Sequence, residues 1–385
     1  METILLILAF MTCVTLLLTI IEFIVGFNKI SNLTDQVSIE ENQLPSLSII
    51  FSALNEEHEI ELALTSLLNL NYPNLEIIAI NDRSTDKTPE ILERFQQQYP
   101  ERMRVFHIKE LPPGWFGKNH ALYLGSQYAK GDWLLFTDAD VLMKKEILIK
   151  SISYVLKNKI DHLTILENHL TNCFWLRVFY LGNYVTYSMA FKPWRVRYAW
   201  SKKFLGHGAF NLVKKTSYEY CGGHQAIALE CLDDLQFGRL LKRHGFKQDT
   251  VDGRDLIERE WYKSLPDLIN GLKKNSFAFY KYRLLPATRD ILFAIFFYLW
   301  PLLGILLTSG AARWLNVLNV CLTLYMCIYV AKQFRLEKYF ALLYPAAIAI
   351  LLYTMINSII STYKNKGVIW RGTYYPLKQL KNRSL

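Results

Sequence analysis

The six cysteines form no C-x-x-C pair and show no zinc-binding spacing: Cys13, Cys321 and Cys327 lie in apolar stretches, and Cys173, Cys221 and Cys231 are scattered between them. A structural zinc site is thereby excluded, and a reducing compartment is expected. Internal repeats and low-complexity segments are also missing. The formal net charge is +10, yet Lys and Arg are not grouped as on a nucleic-acid-binding face, so no nucleic-acid partner is expected. Many basic residues instead flank apolar runs: Lys273, Lys274, Lys281, Arg283 and Arg289 precede one, and Lys332, Arg335 and Lys338 follow another.

Those runs are the dominant feature of the 385 residues, 51% of which are hydrophobic. Residues 3–27 are apolar apart from Glu22 and a few hydroxyls, and 291–307, 314–331 and 339–360 are comparable. A helix crosses a bilayer with about 20 apolar residues, so all four are spanning candidates. The first lacks the basic start, short length and small-residue cleavage site of a signal peptide, and reads as an uncleaved anchor. The expected division is an anchor over 1–27, a polar linker over 28–45, a globular domain over 46–285, about three transmembrane helices over 286–362 and a basic tail over 363–385. Flanking charge places the globular domain on the cytoplasmic side of a multi-pass cell-membrane protein. The tail, with Lys364, Lys366, Arg371, Lys378, Lys381 and Arg383, then ends on the wrong side if every apolar run spans. Either the charge rule fails or one run is re-entrant or interfacial, and Pro345 makes the last run the candidate.

Within the globular domain, 47–53, 75–80, 103–108, 133–137 and 162–166 read as short buried strands. Helical periodicity marks 56–70, 119–129 and 144–158, and a helix from Pro89 toward Gln98 is capped by Thr88. Strand–helix alternation implies an α/β domain with a mostly parallel sheet. Ligands bind such sheets outside the carboxyl ends of the strands. Asp82, Asp138 and Asp140 fall there. Asp138 and Asp140 are two apart on extended chain and point the same way, a pattern suited to one Mg²⁺ or Mn²⁺ ion and a diphosphate. The plain alternatives are an Asp-rich turn capping the next helix for Asp82 to Asp86 and a solvated turn for Asp138 and Asp140.

The segments "ALNEE", "NDRSTD" and "DAD", followed by "ECLDDLQFGRLLKRHG", resemble family 2 inverting glycosyltransferases over roughly residues 45–275. The resemblance implies a Rossmann-like GT-A nucleotide-sugar fold with transmembrane helices at both ends. By its pattern Asp82 contacts the nucleoside, Asp138 and Asp140 hold metal and diphosphate, and Asp234, beside Asp233, is the catalytic base. Asn55, Glu56 and Lys118 are the further expected nucleotide-sugar contacts. "GHGAFNLVKKTSYEYCGGH" leads toward the acceptor, with His224 and Trp261 as acceptor-side candidates. "PPGWFGKNHA" and "WRGTYYPL" resemble a membrane-anchored branch that includes carotenoid and ceramide glucosyltransferases. The implied partners are a UDP-sugar, a lipid acceptor and the membrane.

Plainer roles stand beside these. Asp233 or Asp234 can cap the helix carrying Leu240 and Leu241, Lys118 can be a surface lysine, and 174–200 can be a core helix rather than a face lying on the membrane. Polysaccharide synthases of the family carry Gln-x-x-Arg-Trp after the acidic motif. Here that region reads "REWYKSLPDLINGLKKNSF", which favours transfer of one sugar over polymer synthesis and leaves open whether Trp261 or Lys274 takes over part of the role. A polysaccharide-forming enzyme of the cell envelope is the alternative.

Overall fold

The structure, a computed structural model, describes residues 2–381. It divides into two compact units. One holds Ile30–Leu170 and Pro193–Trp261; the other holds the chain up to Lys29, Thr171–Lys192 and the chain from Tyr262 onward.

After α1 (Glu2–Phe27), the α/β unit runs β1 (Leu47–Ala53), α2 (Ile60–Leu68), β2 (Leu75–Asp82), α3 (Thr88–Gln98), β3 (Met103–Ile108), α4 (Gly117–Tyr128) and β4 (Trp133–Asp138). Then come β5 (Leu142–Met143), α5 (Ile147–Asn158), β6 (His162–Leu166) and β7 (Asn168–His169). The chain leaves for α6 (Phe174–Phe191) and returns as β8 (Asn211–Lys214), α7 (Lys215–Tyr220), α8 (Asp233–Arg243), β9 (Gln248–Asp252) and β10 (Ile257–Arg259). The main sheet has the order β3-β2-β1-β4-β8-β6-β9, with β8 antiparallel to both its neighbours and the other pairings parallel. All five strands read from sequence are present.

The sheet is buried on both faces because its strands are apolar at consecutive positions. Leu47, Ile49, Phe51 and Ile77 pack into one core layer with Leu64, Leu92 and Ile152 of α2, α3 and α5. Ile50, Ile78, Leu134 and Phe136 pack into the other with Leu122 of α4 and Phe237 and Leu240 of α8. Two-sided burial is what a parallel sheet requires of its strands. The order reverses between β1 and β4, and the crevice beyond their carboxyl ends is the site this topology offers a ligand.

The second unit is helical: α1, α6, α9 (Leu265–Ala278), α10 (Leu284–Ala294), α11 (Trp300–Leu307), α12 (Gly310–Gln333) and α13 (Tyr344–Lys364), then a hairpin of β11 (Gly367–Trp370) and β12 (Thr373–Pro376) and α14 (Leu377–Lys381). Four stretches are long and apolar enough to cross a membrane: Glu2–Phe27, Leu284–Leu307, Gly310–Gln333 and Lys338–Lys364.

One cap differs from expectation. The Thr88 hydroxyl accepts the Glu56 N–H at 2.8 Å, while the Asp86 carboxylate accepts the Thr88 N–H at 3.0 Å. Asp86 thus covers the helix start, as an Asp-rich turn before the helix allows, and Thr88 ties down the neighbouring loop.

Candidate active site

Two loops form the β1–β2 side of the crevice and are sewn together. The Thr85 N–H donates to Asn55 Oδ1 at 2.8 Å, the Asn55 N–H to Ser84 Oγ at 3.1 Å, and the Glu57 N–H to Asp86 Oδ2 at 3.1 Å. Asn55, with φ of 57°, sits in the left-handed region that Asn tolerates better than most residues. Asn55 and the Glu56 backbone therefore hold the loop pair in shape. Asp82 is buried and grips Arg83 through both oxygens, at 2.7 and 3.1 Å. Gly117, which opens α4, lies so close to the Asp82 carboxylate that a β-carbon would strike it. The close approach requires glycine.

Lys118 follows, and it is no ordinary surface lysine. Its Nζ lies 2.8 Å from Asp138 Oδ1 and 3.0 Å from Asp233 Oδ2. Asn119 fixes the start of α4 by donating to Ile227 O at 2.7 Å and Glu230 O at 3.0 Å. The lysine thus ties the end of β4 to the first turn of α8, countering the unfavourable position of a cation at a helix start. Burial disfavours its charge, but Asp138, Asp233 and Asp234 hold its ammonium well above the usual lysine range.

Arg259, on the three-residue β10, completes the frame. Its guanidinium donates to Asp138 Oδ2 at 2.7 Å and stands 4.0 Å from Asp140 Oδ1. Burial opposes ionisation of Asp138, yet Lys118 and Arg259 together hold its carboxyl well below the ordinary range. Asp140 goes the other way: burial pushes it up, and the neighbouring Asp138 adds to the shift. Asp140 Oδ1 is buried without a hydrogen-bond partner.

That orphaned oxygen is where a divalent cation fits, beside a second carboxylate two residues earlier; hard cations that bind phosphates are commonly held by one or two carboxylates. Among the described residues, no three His, Cys, Asp or Glu side chains already converge on one metal position. The donor set therefore suits a cation that takes its remaining ligands from a diphosphate and water. For Asp138 to join Asp140 as a ligand, Lys118 or Arg259 has to share an oxygen.

Asp234 stands on the first turn of α8. Its Oδ2 accepts the Gly208 N–H at 2.9 Å and its Oδ1 accepts the Leu235 N–H at 2.7 Å. Gly208 faces the Asp138 carboxylate with no room for a β-carbon, so the loop before β8 threads between Asp138 and Asp234. Burial, then repulsion from Asp233, pushes the Asp234 carboxyl up to about 6. One carboxylate thus covers the Leu235 amide and, being raised, is chemically able to take a proton near neutral pH.

A further cluster was not legible in the sequence. Glu167 receives His207 Nδ1 at 2.7 Å and stands 3.3 Å from His169 Nε2. His169 in turn stacks on Trp261 at 5.4 Å between centroids. Burial opposes its charge, but the two histidines hold the Glu167 carboxyl well below its normal range, and Glu167 raises His207. Trp261 is thus part of this wall of the α/β unit. Lys274 belongs to the helical unit, where its ammonium sits over the Trp370 ring.

His224 does not sit where an acceptor-side residue should. It is 2% exposed, stacked on Phe237 at 5.2 Å and within 3.1 Å of the Tyr218 hydroxyl. Burial, with Lys118 adding to it, brings its pKa down to about 3, so it is a neutral core ring. Its place in a glycine-rich stretch reflects Gly223, which packs on Tyr218.

Three comparisons bear on this arrangement. Residues 48–220 match the family model described as Glycosyl transferase family 2. The chain is 24% identical over 235 residues to 4,4'-diaponeurosporenoate glycosyltransferase of Staphylococcus haemolyticus, covering 60% of each chain. It is 28% identical over 204 residues to beta-monoglucosyldiacylglycerol synthase of Nostoc sp., covering 51% of this chain and 42% of that protein. The match thus spans 60% and 42% of the length of these relatives. In fold it is similar to the mannosyltransferase PcManGT from Pyrobaculum calidifontis, solved with GDP-Man and Mn²⁺: TM-score 0.56, 16% identity, 94% of this chain and 99% of that one. The α/β unit is therefore GT-A-like.

Proposed function

We propose, from the match of residues 48–220 to the family 2 glycosyltransferase model, that the chain transfers a single sugar, with inversion, from a nucleoside diphosphate to a lipid acceptor in a cell membrane. The observation that carries this reading is Lys118, whose ammonium joins Asp138 on the donor side to Asp233 next to the base. The crevice thus places charge that can meet a leaving diphosphate next to a carboxylate that can take a proton.

In this mechanism Asp82 and the loop pair around Asn55 and Glu56 receive the nucleoside. Asp138 and Asp140 are the residues that would hold Mg²⁺ or Mn²⁺, and such an ion would neutralise charge growing on the diphosphate oxygens. Lys118 and Arg259 steady the two acids and keep cationic groups at the same place. An acceptor hydroxyl attacks the anomeric carbon from the face opposite the leaving group. The carbon–oxygen bond to the diphosphate breaks, and the hydroxyl proton passes to Asp234. A carboxylate acceptor needs no proton removed, and Asp234 then acts by position alone. Trp261, held on His169, lines the acceptor side.

UDP-glucose is the proposed donor. Supporting the lipid acceptor are the names of the two relatives, a diaponeurosporenoate glycosyltransferase and a monoglucosyldiacylglycerol synthase, the four apolar helices, and the missing Gln-x-x-Arg-Trp sequence. The catalytic unit is proposed to face the cytoplasm, as the flanking basic residues suggest. The test is transfer of radiolabelled glucose from UDP-glucose into chloroform-extractable product by membranes carrying the chain. Label in the extract that vanishes with Asp234→Asn supports the reading; label recovered only in water-soluble polymer moves the function to polysaccharide synthesis.

A further inference from the structure

The basic tail posed a topological conflict if all four apolar segments cross the bilayer. The contacts within the helical unit resolve it. Asn319 of α12 donates to Ala9 O of α1 at 2.9 Å, and the Phe27 ring lies 5.8 Å from Phe334. Helices α1 and α12 therefore run parallel, while Gly304 of α11 faces Asn316 near the α11–α12 turn, so α11 and α12 are antiparallel. Two crossings, α10–α11 and then α12, return the chain to the face from which it entered α10.

Helix α13 packs mainly along α6 and α9, with a smaller contact to α10. Ala347 and Leu351 lie against Gly182 of α6, and Ser358 donates to Lys273 O and accepts the Phe277 N–H of α9. Neither partner can lie across a bilayer. Both ends of α6 lead into the α/β unit, whose main sheet is built from strands before and after it, β6 and β8 being paired. A crossing at α6 would put that sheet on both sides of the membrane. Helix α9 carries Asp267, Asn270, Lys273, Lys274 and Asn275, whose burial in hydrocarbon is prohibitive.

The faces of α13 agree. Thr354, Ser358 and Thr362 are buried on the protein side, while Tyr353, Ile356, Ile360 and Tyr363 are exposed as one apolar stripe. Beyond it, Lys364, Lys366, Arg371, Lys378 and Lys381 are exposed around the hairpin and α14, with Trp370 beneath Lys274 and Ile369 and Tyr374 exposed. An apolar stripe edged by basic and aromatic residues fits an interfacial element rather than a span.

We propose that α13 lies along the membrane surface, not across it, and forms with α6 and α9 a lipid-facing layer on the face from which the α/β unit emerges. The hairpin and α14 then present their basic residues to anionic headgroups on that face. This reading does not depend on the reaction catalysed.

The test uses the full chain in bilayers containing phosphatidylglycerol. Nitroxide labels at Ala349→Cys, Tyr353→Cys, Ile356→Cys and Ile360→Cys are expected at one shallow depth. A depth changing by about 1.5 Å per residue, roughly 16 Å from 349 to 360, would overturn the proposal. The wild-type chain with an epitope after Leu385 supplies a second readout if the labelled variants fold poorly. In sealed vesicles with the α/β unit outward, protease removes the epitope; a protected epitope overturns the proposed side. Replacing Lys364, Lys366 and Arg371 by Gln is expected to lower the preference of the protein for spin-labelled phosphatidylglycerol over phosphatidylcholine at least fivefold. An unchanged preference overturns the headgroup contact.

Discussion

Arg259 reaches Asp138 across 2.7 Å although 121 positions separate them. The bond matters because Asp138 already has Lys118 on its other oxygen. A carboxylate between two cations stays ionised, and each cation also reaches a second acid, Asp233 for Lys118 and Asp140 for Arg259.

Removing one of those cations tests this directly. Lys118→Met leaves Asp138 and Asp233 without their shared partner and is expected to weaken nucleoside-diphosphate binding roughly 10- to 100-fold, about 1.4–2.8 kcal/mol. Titration of UDP into the purified variant measures it, and unchanged affinity contradicts the role.

Asp234→Asn separates base from binding. Turnover is expected to fall about 10²- to 10⁴-fold, while UDP-sugar affinity stays within about threefold. A loss confined to affinity would move Asp234 to the donor side.

The acid limb of the rate follows from the raised carboxyl. With Asp234 near 6, kcat should fall as pH drops through about 6, because the protonated carboxyl cannot accept a proton. The sign for stability is opposite. A carboxyl that is raised on folding favours the folded state at low pH and penalises it once pH exceeds the folded value. Asp234→Asn should therefore raise the Tm at pH 7.5 and have little effect at pH 4, read by thermal scanning in detergent.

His224→Phe probes the reassignment of that residue to the core. The ring keeps its stack on Phe237 and loses one hydrogen bond with Tyr218, a cost of about 1 kcal/mol. Activity within about threefold of wild type is expected, and a loss of 100-fold would return His224 to the acceptor site.

Sequence patterns located the strands and the acids because both are local signals: a short apolar run, then an aspartate at its carboxyl end. Lys118 could be named but not distinguished from a surface lysine, since its partners come from β4 and α8. Arg259 carried no signal at all. Its three-residue strand has no measurable periodicity, and only pairing with β7 and β5 brings it beneath Asp138. The Glu167–His207–His169 cluster was hidden for the same reason, its members being joined by chain reversal through β8. Composition likewise reads α13 as a span, because an apolar helix looks the same along a membrane as across one. Its orientation is written in the polar neighbours it packs on.

The most direct measurement is calorimetric titration of UDP-glucose into the solubilised protein with and without Mn²⁺, repeated for Asp140→Asn. The account predicts metal-dependent binding in the wild type and loss of the metal dependence in the variant, whose buried oxygen at that position no longer carries charge. Binding of equal strength with and without metal, unaltered by Asp140→Asn, would contradict it.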